Sequence, residues 1–221
     1  MLNIALDGPC GGGKSTVADI LAQKLDILHL DTGAMYRACA LCAIKRGVDC
    51  LDEEAVSGFI NDIDIEIRYQ NGRQITMLDG EDVSEKIRAN EVSMMSSDIS
   101  SLKCVREKMV EMQREVAKRN DCILDGRDIG TVVLPDATFK FYITATPTVR
   151  AERRYKELTE KGQKVDFEDL IEEINRRDYN DSHRKISPLK KAYDAILIDT
   201  SEMTVKEVVD KLLSYITKND K

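Results

Sequence analysis

Residues 2–16 read LNIALDGPCGGGKST, and the fold turns on them. A short apolar run, Ile4-Ala5-Leu6, leads into Gly8, four further residues and then Gly13-Lys14-Ser15, which satisfies G-x-x-x-x-G-K-[ST] without mismatch. Glycines at 8, 11, 12 and 13 let the backbone turn its N–H groups inward, and a helix beginning near Lys14 adds the positive end of its dipole. Gly8, Pro9, Cys10, Gly11, Gly12, Gly13, Lys14, Ser15 and Thr16 are therefore expected to cradle the phosphates of ATP. Lys14, expected to be exposed on the loop, supplies a point charge for the β/γ-phosphates, and the Ser15 hydroxyl sits on a bridging Mg²⁺. The alternative is a glycine-rich strand-to-helix turn with an incidental lysine; the complete motif, the strand before it and the amphipathic helix after it favour nucleotide.

Outward from the loop, short apolar strands alternate with helices. Val17, Ile20, Leu21 and Leu25 give a first helix, residues 27–30 a second strand ending in Asp31-Thr32-Gly33, and residues 34–46 a second helix. Arg37 in the first turn of that helix opposes its dipole, so either an anion sits beside it or it is a solvated surface arginine. A short helix over 53–61 precedes alternating Ile63, Ile65, Ile67 and Tyr69, the hairpin signal Asn71-Gly72, and Ile75, Met77 and Leu78. This β meander interrupts the alternation, and residues 62–88 read as a small insert on the substrate side. Helices over 91–100 and 102–118 follow, the second with Val105, Met109, Met112 and Val116 as its inner stripe.

A third buried strand, 122–124, ends in Asp125-Gly126-Arg127-Asp128. An aspartate directly after an apolar strand beside a phosphate loop is the position of a second Mg²⁺ partner, and Asp125 is assigned to it; an ordinary turn or cap aspartate is the other reading. Residues 139–145 form a fourth strand, and Pro147 opens a helix whose Arg150, Arg153 and Arg154 share one face. Like charges so placed suggest an anionic partner, with a solvated helix as the alternative. After a Gly162 turn comes a helix over 167–180, then a fifth strand over 195–198 and a closing helix with Val205, Val208, Val209, Leu212 and Ile216 inward. Such a chain predicts a P-loop NTPase-type α/β fold: a five-stranded parallel sheet, helices on both faces, a small antiparallel β insert and a helical lid. Ligands bind beyond the carboxyl ends of the strands, where Gly8, Asp31, Asp125 and Asp199 fall.

The 221 residues suit one such core with an insert, and 42% apolar content suffices for its interior. A net charge of −7 disfavours a nucleic-acid polymer as partner and leaves small phosphorylated ligands. No apolar run approaches the roughly 18 residues that span a bilayer, and no leader pattern opens the chain, so no membrane partner and a cytoplasmic location are expected. The last few residues read as disordered. Six cysteines lie inside patterned segments and read as reduced thiols. Cys39-x-x-Cys42 has no second pair and no histidine at ligand spacing, which favours two small helix-face residues over zinc.

Five segments resemble the bacterial cytidylate kinase family: the phosphate loop, D-T-G-A-x-Y-R at 31–37, D-G-R-D-x-G-T at 125–131, the pair Arg153-Arg154, and R-D-x-x-D-x-x-R at 177–184. They run through the whole chain in order. The resemblance implies Mg²⁺-dependent transfer of the ATP γ-phosphoryl group to CMP or dCMP by a monomeric enzyme. It divides the chain into core (1–61), β insert of the acceptor region (62–88), core (89–149), a lid region with flanking helices (150–184) and core (185–221). It also implies that Arg37, Arg127 and Arg184 hold the acceptor phosphate, that Thr32, Arg106 and Asp128 read the cytosine, and that Ser97, Arg177 and Asp181 meet the sugar. Lys14, Arg153 and Arg154 would act on the transferring group, with Ser15 and Asp125 toward the metal. Cys10 stands where the family often has serine, which sets an oxidisable thiol beside the phosphates, and Ser15 where many members have glycine. Arg106 with Asp128, a donor and an acceptor suited to a base edge, distinguishes this from another small P-loop kinase. A GTP-dependent switch would need N-K-x-D, which the chain lacks.

Overall fold

The computed structural model describes residues 1–70, 72–160 and 162–217. The Asn71 half of the hairpin signal and the last few residues, for which disorder is expected, lie outside the described residues. Five strands, β1 (Asn3–Asp7), β2 (Leu28–Asp31), β6 (Cys122–Gly126), β7 (Phe139–Thr144) and β8 (Ile196–Asp199), form one parallel sheet in the order β2-β6-β1-β7-β8. β1 lies at its centre because Ile4, Ala5 and Leu6 are apolar on both faces and have no exposure. Helices α1 (Lys14–Leu25) and α8 (Val205–Ile216) cover one face, where Leu6, Leu21, Phe141, Ile198 and Leu212 pack together. α2 (Thr32–Arg46), α3 (Glu53–Ile60), α4 (Asn90–Ile99) and α5 (Lys103–Ala117) cover the other, around Leu30, Met35, Ile60, Met109 and Leu124.

The insert is a second, antiparallel sheet of β3 (Ile65–Gln70), β4 (Arg73–Leu78) and β5 (Glu81–Asp82). It docks on β2, which is an edge strand with unpaired backbone groups. Tyr69 donates its hydroxyl to the His29 carbonyl at 3.0 Å, and the Gln74 side chain accepts from the Asp31 N–H at 2.9 Å while donating to the Asp31 carbonyl at 3.3 Å. α6 (Pro147–Glu160) and α7 (Phe167–His183) pack against each other beside the phosphate loop.

Three local expectations change in the folded chain. On α5 the buried side includes Arg106 and Gln113, while Met112 and Val116 are half-buried, because the helix also faces a polar cleft. On α8 Val205 is exposed: it stands at the first helical position, outside the stripe that Thr204 and Glu207 cap. α2 begins at Thr32, with Asp31 as its cap accepting from the Ala34 N–H. Cys39 and Cys42 lie in the core, where Cys39 Sγ is 3.7 Å from Met109 Sδ and burial pushes the Cys39 thiol well up.

Candidate active site

β1 delivers Gly8 to the sheet's carboxyl edge, where a Cβ would stand 1.9 Å from the Ile143 carbonyl oxygen of β7; only glycine allows that approach. Gly13, at φ +83°, caps α1 in a left-handed conformation that favours glycine. Between them the loop folds over Lys14, which is buried rather than exposed and donates to the Pro9 carbonyl at 2.7 Å. Burial, reinforced by the Arg127 charge, pushes the Lys14 ammonium down to about 7.

Ser15, the second residue of α1, donates to Asp125 Oδ2 at 2.8 Å. A hydroxyl and a carboxylate so paired at the end of a phosphate loop are hard oxygen ligands, and they fit Mg²⁺. The other Asp125 oxygen accepts from His29 Nε2 at 2.7 Å, and His29 Nδ1 lies 2.6 Å from Asp19 Oδ1. Burial opposes charge on this ring, but the bonds to Asp125 and Asp19 outweigh it and hold its pKa at about 10. Burial likewise opposes the Asp125 carboxylate, and the His29 bond more than offsets it, leaving Asp125 below its ordinary value. His29 was not among the expected site residues; its only signal is a lone histidine in the apolar run ILHL.

Asp7, one residue before the loop's first glycine, is a second such residue. Its two oxygens accept from the Ile129 and Gly130 N–H groups, each at 2.7 Å, which ties β1 to the turn after Asp128. Burial outweighs both bonds and raises its pKa to about 6. A raised carboxylate means that the native state holds the proton over a window in which the unfolded chain has lost it, so stability falls as pH rises through that window. Against Asp7→Asn, which does not titrate, the wild-type chain should lose about 2 kcal/mol of relative stability between about pH 4.5 and about pH 7.5. Urea unfolding of both proteins at the two pH values checks this, and a pH-independent difference would overturn it.

Acceptor candidates meet at two buried carboxylates, Asp128 and Asp181. Arg106 is buried, pairs with Asp128 Oδ2 and donates to the Ser100 carbonyl at 3.2 Å. Arg184 approaches Asp128 Oδ1 at 3.4 Å and donates to the Ser187 carbonyl at 2.6 Å. One buried carboxylate therefore stands between two guanidinium groups. Arg127 donates to Asp181 Oδ2 at 2.8 Å, and Ser97 donates to Asp181 Oδ1 at 3.4 Å. Burial alone would lower Arg127, but Asp181 outweighs it and raises its pKa; the same pairing holds Asp181 below the usual carboxylate range. Thr32 donates to the Asp125 carbonyl at 2.7 Å, and Arg177 lies 3.8 Å from Glu173. Nε atoms of Arg37, Arg106 and Arg177 are buried without a hydrogen-bond partner.

Two expectations about charge have internal answers. The anion beside Arg37 is the chain's own Asp31, at 2.7 Å. Arg150, Arg153 and Arg154 do not act as one basic face, because each is separately engaged. Arg150 is buried, bridging Asp178 at 2.5 and 3.0 Å and the Cys10 carbonyl at 3.1 Å, so it braces the loop. Arg153 donates to the Thr200 carbonyl at 2.7 Å, with Nη1 4.0 Å from where a Gly13 Cβ would stand; Arg154 pairs with Glu157 at 3.0 Å. The Cys10 sulfur lies 3.9 Å from Asp178 Oδ1. Asp178 was missed because its partners come from residues far away in sequence.

Fold, loop and arginine-lined cleft together define a P-loop phosphotransferase of the nucleoside monophosphate kinase class. The fold is similar to that of an uncharacterized Eubacterium ventriosum protein (TM-score 0.54, 14% identity, 98% of this chain and 99% of that one) and of shikimate kinase from Bacteroides thetaiotaomicron (0.50, 12%, 98% of each chain). A family model described as cytidylate kinase matches residues 4–218. Cytidylate kinases of Caldicellulosiruptor bescii (49% identical over 98% of this chain and 96% of theirs), Lactobacillus gasseri (48%, 100% and 96%) and Clostridium acetobutylicum (49%, 98% and 98%) are similar over essentially their full lengths. This chain belongs to the cytidylate kinase family. Among the described residues no helix is long and apolar enough to cross a membrane.

Proposed function

We propose that the chain moves the γ-phosphoryl group of ATP to the phosphate of CMP or dCMP, giving CDP or dCDP and ADP. A bond forms between an acceptor phosphate oxygen and the γ-phosphorus as the bond to the β-phosphate oxygen breaks. That acceptor oxygen is already anionic, so no histidine or cysteine base is needed, and the work left to the protein is alignment and charge neutralisation. The loop's N–H groups and Lys14 hold the ATP phosphates, and Arg37, Arg127 and Arg184 the acceptor phosphate. Thr32, Arg106 and Asp128 meet the base, and Ser97, Arg177 and Asp181 the sugar. Ser15 and Asp125 would hold Mg²⁺, which when bound neutralises charge on the phosphates. Arg153 and Arg154, on the lid helix, complete the charge around the transferring group and help exclude water.

What carries this proposal is the buried Arg106–Asp128–Arg184 triad. Asp128 can only accept and Arg106 only donate, which matches the amino group and acceptors of cytosine and opposes the carbonyl of uracil. A coupled assay of ADP release with CMP, dCMP, UMP, AMP, GMP and dTMP tests it. CMP should exceed UMP by about 10²-fold or more in kcat/KM, roughly 3 kcal/mol; equal rates with all acceptors would reject the proposal.

A further inference from the structure

We infer that His29 is a positioning residue for the metal pair: it locks the Asp125 carboxylate in the orientation that commits the Ser15 hydroxyl proton. The inference rests on the proposal that Ser15 and Asp125 hold Mg²⁺. Four side chains form a closed ring. Ser15 donates to Asp125 Oδ2, His29 Nε2 donates to Asp125 Oδ1, His29 Nδ1 donates to Asp19, and Asp19 returns to α1 four residues after Ser15, on the same helix face. Three elements, α1, β2 and β6, are thereby fixed to one another at the end of the phosphate loop.

The two ends of the imidazole are unequal. Asp19 is 59% exposed and could be satisfied by water, whereas Asp125 is buried and its Oδ1 has His29 as its partner. Without that donor, Asp125 Oδ1 would be an unsatisfied buried acceptor, and rotation of the carboxylate toward another partner would release Ser15. With it, the Ser15 proton points at Asp125 and the hydroxyl lone pairs remain for a cation. The ring's positive charge opposes a cation, so the gain is one of geometry: ligands already oriented lose no rotamer freedom on binding. The Tyr69 hydroxyl, bonded to the His29 carbonyl, holds the strand from the insert side.

The test measures how much Mg²⁺ strengthens ATP binding, by calorimetric titration of the full chain with ATP in Mg²⁺ and in EDTA. His29→Gln sets a donor near the Nε2 position facing Asp125, whereas His29→Asn reaches only the Nδ1 position facing Asp19. His29→Asn and Asp125→Asn should each lose about tenfold or more of the Mg²⁺-dependent gain, while His29→Gln keeps it within about threefold. Metal-free ATP affinity should be the same in the two His29 variants, and both should be fully folded at the titration temperature without nucleotide. A purely structural role would move both His29 variants together, so equal losses in the two overturn the inference. If Asp125→Asn loses the gain and His29→Asn keeps it, His29 is excluded and the metal pair stands. If Asp125→Asn also keeps it, the metal pair itself fails.

Discussion

Lys14→Ala should lower kcat by about 10³-fold while leaving the melting temperature of the nucleotide-free protein unchanged or higher. The Lys14 ammonium is buried and, among the described residues, donates to the Pro9 carbonyl, with Arg127 adding repulsion. Its pKa of about 7 lies below the ordinary lysine value of 10.5, so between these values the unfolded chain binds the proton that the native chain has released. Stability contributed by this group therefore rises with pH across that window, and below about pH 7 the full cost of the buried charge is present. Alanine removes the cost together with the function. A coupled assay read beside thermal melting separates the two: near-normal turnover would remove the phosphate-loop assignment, and a melting temperature that fell with activity would make the loss one of folding. The combination of lost activity and retained stability is the mark of a strained functional site.

Asp128→Asn is the second large effect, and it falls on the choice of base. Asparagine keeps one acceptor between Arg106 and Arg184 but turns the other oxygen into a donor, which suits the uracil carbonyl and opposes the cytosine amino group. The CMP-to-UMP ratio in kcat/KM should fall by about 10²-fold, mainly through slower CMP turnover. Alanine is the poorer probe here. It would strand two buried guanidinium groups without their carboxylate, at a cost of about 3–5 kcal/mol in stability. Thermal melting of both variants should rank Asp128→Ala well below Asp128→Asn. An asparagine variant that retained the full ratio would show that Asp128 does not read the base.

The phosphate loop, the strand-helix alternation and the positions of Asp125 and Lys14 were legible because they rest on local rules. A glycine at a close approach, a hydroxyl one residue after a lysine and an aspartate at a strand end are set by neighbours along the chain, and spacing records them. The five-stranded parallel sheet and the insert followed from periodicity for the same reason. What distance along the chain hides is pairing. Arg150 was grouped with Arg153 and Arg154 by helical spacing, yet the fold brings Asp178 to it from α7 and turns it into a brace for the loop. Arg37 looked short of an anion until α2 began two residues earlier and made Asp31 both cap and counterion. A lysine on a loop is ordinarily exposed, and only the closing of the loop over Lys14 shows the burial that lowers its pKa. His29 had no sequence neighbour to explain it; parallel pairing of β2 with β6 sets it beside Asp125, and the face of α1 brings Asp19 to its other nitrogen. Local conformational preference thus determined the elements and the loop's chemistry. The sheet order β2-β6-β1 decided which charges meet, because it joins strands that lie about a hundred residues apart in the chain.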